Sequence, residues 1–218
     1  MLIERDQIQE WHLEVSSRCA LACPRCARTI MKGAYEVTDL PLALVQRIFP
    51  PGTPARKIIL CGNHGDPIYH QRFHEILSYL RGLGPVPPRL SIHTNGAFRD
   101  RAWWAETAKI LSPDDRVVFS IDGLSDTNHL YRVNARWSTI LDGIAECRGK
   151  VGMIWKLIVF KHNQHQVEEA RRLAVELGFD DFNLVKSDRF GGRWRASGVD
   201  PMQPTIPFEA LLQRVKGA

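Results

Sequence analysis

Short apolar runs alternate with longer helical patterns along most of the chain. Six runs rich in Val, Ile and Leu predict β-strands at residues 11–15, 57–61, 89–94, 117–122, 154–160 and 182–186. Between these runs, apolar residues recur at spacings of three and four, as in Phe73, Ile76, Leu77 and Leu80, which predicts amphipathic helices. Strands that alternate with helices in this way are typical of a mainly parallel sheet.

The number of strands indicates the architecture. Six β/α units are two fewer than a closed eight-stranded barrel requires, so the sequence predicts an α/β fold, a partial (β/α)6 TIM-like barrel that is open on one side. Further helical patterns occupy residues 137–144 and 164–177, the second ending at Gly178. We expect a single domain over residues 1–218, in which residues from about 200 to 218 form a proline-containing strap and a short helix at 208–216.

Composition and charge narrow the class of protein. The 218 residues are 44% hydrophobic and 24% charged, as in an ordinary globular domain with a substantial core. The first ten residues are acidic and contain no long apolar stretch, so we predict neither a signal peptide nor membrane association, and a cytoplasmic protein. The net charge of +5 is compatible with an anionic substrate or nucleic acid, and Arg189, Arg193 and Arg195 make the loop 188–198 a candidate anion contact.

Three of the five cysteines lie within eight residues. Cys19, Cys23 and Cys26 directly follow the first strand, a spacing that favours a metal or cluster site over a disulfide framework. Three thiolates can hold three irons of a [4Fe–4S] cluster and leave the fourth open to an external chelator. A structural zinc site completed by His12 or His64 is the alternative. Cys61 and Cys147 are isolated and are predicted to be packed thiols.

The Cys-x-x-x-Cys-x-x-Cys spacing after strand one of a partial barrel resembles the radical S-adenosylmethionine (SAM) superfamily. The resemblance implies two cofactors, a [4Fe–4S] cluster on these cysteines and SAM, whose amino and carboxylate groups chelate the open iron. It also implies reductive cleavage of SAM to a 5′-deoxyadenosyl radical, with an electron donor such as flavodoxin or ferredoxin. Where the family usually places an aromatic or apolar residue beside the adenine, the chain has Arg25, whose guanidinium can stack on a purine.

Polar motifs follow the next two predicted strands. The stretch from Gly62 to Pro67 resembles the family's glycine-rich motif, whose backbone receives the SAM amino group, and glycines suit such a close approach. The resemblance assigns Gly62, Gly65 and Asp66 to cofactor binding, with Asp66 in place of the more frequent glutamate. Asn95, in a Thr-Asn-Gly ending, is expected near the cofactor or substrate, and a plain Asn-Gly turn is the alternative.

The later strands supply the remaining candidates. Ser120 and Arg132 are similar in position to residues that contact the SAM carboxylate or ribose, a role suited to a bidentate guanidinium. Asp122 faces the substrate or stabilises a turn. By the same resemblance, Asn163 after strand five contacts the nucleoside.

The resulting hypothesis is a radical SAM enzyme that abstracts hydrogen from an unidentified peptide, nucleotide or nucleic-acid base, as an oxidoreductase, isomerase or transferase. Because no cysteine follows Cys147, we expect a minimal core without auxiliary clusters, which favours redox-neutral isomerisation or epimerisation. The alternative is a noncatalytic zinc or iron–sulfur module that binds nucleic acid, with metal-dependent affinity and no SAM cleavage.

Overall fold

A single parallel sheet organises the protein. The computed structural model describes residues 7–31, 33–34, 36–190 and 200–216. Its six strands pair in chain order, β1 to β6. They are β1 (Glu10–Glu14), β2 (Lys57–Cys61), β3 (Arg89–Thr94), β4 (Arg116–Ser120), β5 (Gly152–Val159) and β6 (Asp181–Lys186). All six predicted strands are confirmed, as is the predicted α/β class.

Helices connect successive strands and cover one face of the sheet. They are α1 (Ala27–Ile30), α2 (Leu42–Ile48), α3 (Phe73–Arg81), α4 (Arg101–Ile110), α5 (Asn128–Tyr131), α6 (Trp137–Cys147), α7 (Val167–Leu177) and α8 (Phe208–Lys216), with a 3-10 turn at Pro67–Tyr69. The helical patterns identified in the sequence correspond to α3, α6, α7 and α8. Helix α4 was not predicted, although Asp100 caps it by accepting a hydrogen bond from the Trp103 backbone N–H at 2.9 Å.

The two faces of the sheet have different environments because side chains alternate along a strand. On β5, Met153, Trp155 and Leu157 are fully buried, and Trp155 packs against Trp137 of α6 and Phe179. The side chains between them, including Lys156, are only partly buried. The hydrophobic core therefore lies between the outer face and the helices, and the inner face lines the lumen of the partial barrel.

The barrel is open between its edge strands. Over the described residues, β1 and β6 lie at opposite ends of the sheet. Near β6, Gln164 holds the strap by accepting hydrogen bonds from the Thr205 and Ile206 backbone N–H groups at 2.9 and 3.0 Å, and α8 then packs on α7. No helix in the described part of the chain has the length and apolar character needed to cross a membrane.

Candidate active site

The carboxyl ends of β2, β3 and β4, the middle of β5 and the loop after β1 enclose a cleft of about 230 Å³. Such a gathering follows from the topology, because the carboxyl ends of parallel strands meet at one edge of the sheet. Nine of the eleven predicted site residues line it, namely Cys19, Cys23, Cys26, Gly62, Gly65, Asp66, Asn95, Ser120 and Arg132. A larger groove of about 480 Å³, lined in part by Val15, Leu40 and Pro41, contains none of them.

The three cysteines lie on the loop between β1 and α1, and the loop has a fixed shape. The Cys26 N–H donates to the Cys23 carbonyl at 3.0 Å. Between the first two cysteines, the Ala22 N–H donates to the Val133 carbonyl at 3.1 Å, and the Ala20 carbonyl accepts from Asn134 Nδ2 at 3.1 Å. The segment after α5 therefore holds the loop in place from outside.

Burial makes the two inner thiols difficult to ionise. It raises the pKa of Cys19 to about 12, and the Asp66 carboxylate adds to the rise. Burial also raises the pKa of Cys23, while the positive charge of Arg132 acts against the rise. A thiolate at either position therefore requires a strong cationic partner, which a bound metal supplies.

The thiols share the cleft but do not converge on one atom. Among the described residues, no three or more His, Cys, Asp or Glu side chains are arranged to hold a single metal ion. His12 lies beside Glu10 and His64 beside Glu14, so the structure does not assemble the alternative zinc site. A [4Fe–4S] cluster would not require such convergence, because each of the three cysteines would bind a different iron.

The cleft wall also presents a polar atom suited to a ligand. Arg28 lines the cleft, and its Nε is buried without a hydrogen-bond partner among the described residues. Buried donors are normally hydrogen-bonded, so this atom favours a cleft that receives a polar ligand.

Close backbone contacts require glycine at both positions of the glycine-rich loop. A Cβ at Gly65 would lie 2.1 Å from the Ser16 carbonyl oxygen and 2.6 Å from Ser17 Cα, and a Cβ at Gly62 would lie 2.3 Å from the Gly65 carbonyl oxygen. The loop after β2 thus packs directly on the loop after β1. These glycines place the backbone of one loop against the chain that carries the cysteines.

Asp66 organises the end of β3 from a buried position. Its carboxylate accepts hydrogen bonds from Thr94 Oγ1 at 2.8 Å and from the Asn95 backbone N–H at 2.7 Å and Nδ2 at 2.5 Å. Burial raises the pKa of Asp66 to about 6, and these hydrogen bonds oppose a larger rise. Asn95 Nδ2 also lies 3.6 Å from Cys19 Sγ, so one network joins the ends of β2 and β3 to the cysteine loop.

A buried ion pair positions Arg132. Its Nε donates to Asp122 Oδ2 at 2.7 Å, and Asp122 Oδ1 accepts from the Ile158 N–H at 2.7 Å. The Asp122 side chain is fully buried, and the Arg132 side chain is 15% exposed. Asp122 therefore faces Arg132 and the backbone of β5, while Arg132 and Ser120 line the cleft.

Two predicted site residues lie outside the cleft. The guanidinium of Arg25 forms an ion pair with Asp200, which is buried, and Arg189 donates to the Arg25 carbonyl at 2.6 Å. Asn163 is fully buried, and its amide bonds to the Asp122, Ile158 and Phe160 backbone. Of the arginines expected to form an anion contact, Arg193 and Arg195 lie outside the described residues.

Sequence reasoning missed several residues that line the cleft. Cys61, predicted as a packed thiol, is only partly buried and lines the cleft together with His93 and Lys156. Cys147 is fully buried on α6, as predicted. The two-residue alternation of strands was the available signal, because strand register places Cys61, His93 and Lys156 on the same face as Ser120.

No protein-family profile matches the chain, whereas solved structures match its fold. SuiB of Streptococcus suis, bound to precursor peptide SuiA, superposes with a TM-score of 0.70 at 18% identity, covering 96% of this chain and 45% of SuiB. The radical SAM methyltransferase TsrM of Kitasatospora setae, with cobalamin and a [4Fe–4S] cluster bound, gives a TM-score of 0.61 at 11% identity over 92% and 45% of the two chains. The chain has the fold of radical SAM enzymes, as the cysteine spacing predicted.

A curated protein is also similar in sequence. The tungsten-containing aldehyde ferredoxin oxidoreductase cofactor-modifying protein of Pyrococcus furiosus is 26% identical over 180 residues, which is 78% of this chain and 49% of that protein. The chain thus spans about half the length of the relatives it matches.

Proposed function

We propose that the protein is a radical SAM enzyme that holds a [4Fe–4S] cluster on Cys19, Cys23 and Cys26 and binds SAM in the adjoining cleft. When bound, the cluster and SAM would supply a 5′-deoxyadenosyl radical that takes a hydrogen atom from the substrate. The observation that carries this proposal is the convergence of three cysteines, the glycine-rich loop and Arg132 on one cleft. The fold supports it, because structures solved with SAM and with a [4Fe–4S] cluster share that fold.

In this proposal the protein's own groups bind and orient the cofactors. The backbone at Gly62 and Gly65 lies within reach of the SAM amino group because neither residue has a side chain. Arg132 binds the SAM carboxylate, and its ion pair with Asp122 fixes the guanidinium before SAM arrives. Asp66 fixes Asn95 and Thr94 by hydrogen bonds.

A small apolar cluster protects the cysteine loop from water. Leu21, Tyr131 and Phe160 are buried beside Cys23, and the rings of Tyr131 and Phe160 lie 4.1 Å apart between centroids. Excluding water from a site that generates a radical prevents side reactions. These apolar side chains therefore have a protective role in the proposed chemistry.

The substrate class, the electron donor and the compartment belong to the same proposal. SuiB was solved with a precursor peptide, which makes a peptide one candidate, beside a nucleotide and a nucleic-acid base. A small electron-transfer protein such as flavodoxin or ferredoxin would supply the electron. All five cysteines are free thiols, which suits a reducing compartment such as the cytoplasm.

The test is anaerobic reconstitution with iron and sulfide, followed by addition of reductant and SAM and measurement of 5′-deoxyadenosine. We expect cluster absorbance and deoxyadenosine from the wild-type protein and from Cys147→Ala, because Cys147 lies in the core away from the cleft. Cys23→Ala should lose both signals. Equal yields from Cys23→Ala and wild type, or neither signal from folded wild-type protein, would overturn the proposal.

A further inference from the structure

The inner face of the sheet carries a lysine and a histidine at the base of the cleft. Lys156 on β5 is paired in register with Ser120 on β4, and His93 on β3 projects from the same face. Both Lys156 and His93 line the cleft. The lysine and the imidazole therefore border the space in which a ligand would lie.

Lys156 differs from the other cations of the cleft in having no partner. Arg132 pairs with Asp122, and Arg28 donates to the Cys19 carbonyl. The Lys156 ammonium makes no hydrogen bond or ion pair with any described residue, although the Lys156 backbone carbonyl accepts from the Ile121 N–H at 3.1 Å. An ammonium group held beside a binding space without a counter-charge favours the binding of an anion there.

The acidic groups near the lumen are already engaged. Asp66 is occupied by Thr94 and Asn95. On β1, Glu10 pairs with Lys57 at 3.2 Å, and Glu14 accepts from Asn63 Nδ2 at 2.5 Å. None of these carboxylates forms an ion pair with Lys156, so the described residues do not neutralise its charge.

The environment of His93 is consistent with an excess of positive charge. Burial, together with repulsion from Lys156, Lys57 and His12, lowers the pKa of His93 to about 4. The imidazole is therefore neutral near pH 7 and adds a hydrogen-bond donor or acceptor. Its Nε2 lies 3.2 Å from Ser91 Oγ.

We propose that Lys156, with His93 and Ser120 beside it, binds an anionic oxygen group of the substrate, a carboxylate or a phosphate. The inference rests on the proposed function, in which the same cleft also receives SAM. It deepens that function by specifying an acidic substrate. The SAM carboxylate is assigned to Arg132, so the charge of Lys156 serves the second ligand.

Lysine acetylation measures occupancy of this site directly. The reconstituted protein is treated with an amine-acetylating reagent in chloride, in inorganic phosphate or in acetate at equal ionic strength, and modification of each lysine is followed by mass spectrometry. At an anion concentration about four times its Kd, phosphate or acetate should slow acetylation of Lys156 about fivefold. Lys161 is exposed on the loop after β5 and should react at an unchanged rate.

The anion that protects identifies the source of the negative charge, phosphate or carboxylate. Protection of Lys156 by either one supports the proposal. Acetylation of Lys156 at the same rate in all three salts, or equal slowing of Lys156 and Lys161, overturns it.

A second measurement separates this site from the SAM site. Lys156→Met removes the charge and keeps much of the side-chain length, so the variant should bind SAM within about twofold of wild type, whereas Arg132→Ala should bind it at least tenfold more weakly. An equal loss in both variants would show that Lys156 serves SAM, which overturns the substrate site and leaves the proposed function standing. Failure of the wild-type protein to bind cluster and SAM would instead overturn the proposed function.

Discussion

Asp122 and Arg132 form a buried pair in which Arg132 Nε donates to the carboxylate at 2.7 Å. The pair joins the end of β4 to the residue after α5, and the same carboxylate accepts from the Ile158 N–H on β5. Asp122 is completely buried, so its charge depends on Arg132 for compensation. The geometry of the guanidinium is therefore set by the protein and not by the ligand.

Arg132→Lys tests whether SAM binding requires the planar shape of the Arg132 guanidinium as well as its positive charge. Lysine keeps the positive charge but loses the planar fork that can bind Asp122 and a carboxylate together. We expect SAM affinity to fall about tenfold while iron content stays unchanged, as measured by equilibrium binding and iron analysis. Arg136→Lys, at an exposed position four residues on, is the control. Unchanged affinity in Arg132→Lys would remove Arg132 from the SAM site.

Gly65→Ala tests the contact between the two cleft loops. The new Cβ would lie 2.1 Å from the Ser16 carbonyl oxygen, so backbone must move, and we expect a loss of about 1–3 kcal/mol in the free energy of unfolding. Gly84→Ala is the matched control, because its Cβ would meet nothing within 4 Å, and its effect should stay within about 0.5 kcal/mol. Urea unfolding measures both, and equal stabilities would contradict the packing described here.

The raised pKa of Asp66 predicts a pH dependence of stability. The carboxyl has a pKa of about 6 when folded against a reference value of 3.8, so the folded state binds more protons between these values and stability falls as pH rises through this window. From pH 4 to pH 7, wild type should lose about 2 kcal/mol relative to Asp66→Asn.

Urea unfolding of cluster-free protein measures this difference. Asp114→Asn, which changes an exposed aspartate, should show no comparable trend relative to wild type. A difference between wild type and Asp66→Asn that stays constant with pH would contradict the raised pKa.

Thiol alkylation tests the placement of the two cysteines that lie outside the cysteine loop. Cys61 is partly buried in the cleft wall, and Cys147 is fully buried in the core. Iodoacetamide should therefore modify Cys61 in the folded protein and leave Cys147 intact, as read by mass spectrometry. In the proposed function SAM binds in the same cleft, so adding SAM should slow the reaction at Cys61. Equal reactivity of both thiols would refute this placement.

Much of the fold could be predicted from the sequence because strand and helix periods were clear. The predicted strand at residues 57–61 coincides with β2, and the pattern of Phe73, Ile76, Leu77 and Leu80 corresponds to the buried face of α3. Helix α4 was missed because its buried positions, Trp104, Thr107 and Ala108, include a polar residue and a small one. Its apolar stripe is therefore weak.

Candidate site residues could be predicted where a sequence motif contained them. They could not be predicted where tertiary contacts determine what a side chain binds. The cysteines, Gly62, Gly65 and Arg132 share the cleft as expected. Asn163 follows a strand end too, but its amide is used entirely by the backbone around it, which no local pattern reveals. Lys156 was missed because choosing the inner face of a strand requires the register of its neighbours.

The contact between Arg25 and Asp200 connects positions far apart in the order of synthesis. Arg25 lies between the second and third cysteines, and its carboxylate partner is separated from it by 175 residues. A ribosome therefore produces the cysteine loop well before the acidic group that holds it. The loop therefore gains this support only after the following 175 residues have been made, so the order in which the site is assembled differs from the order in which its residues are made.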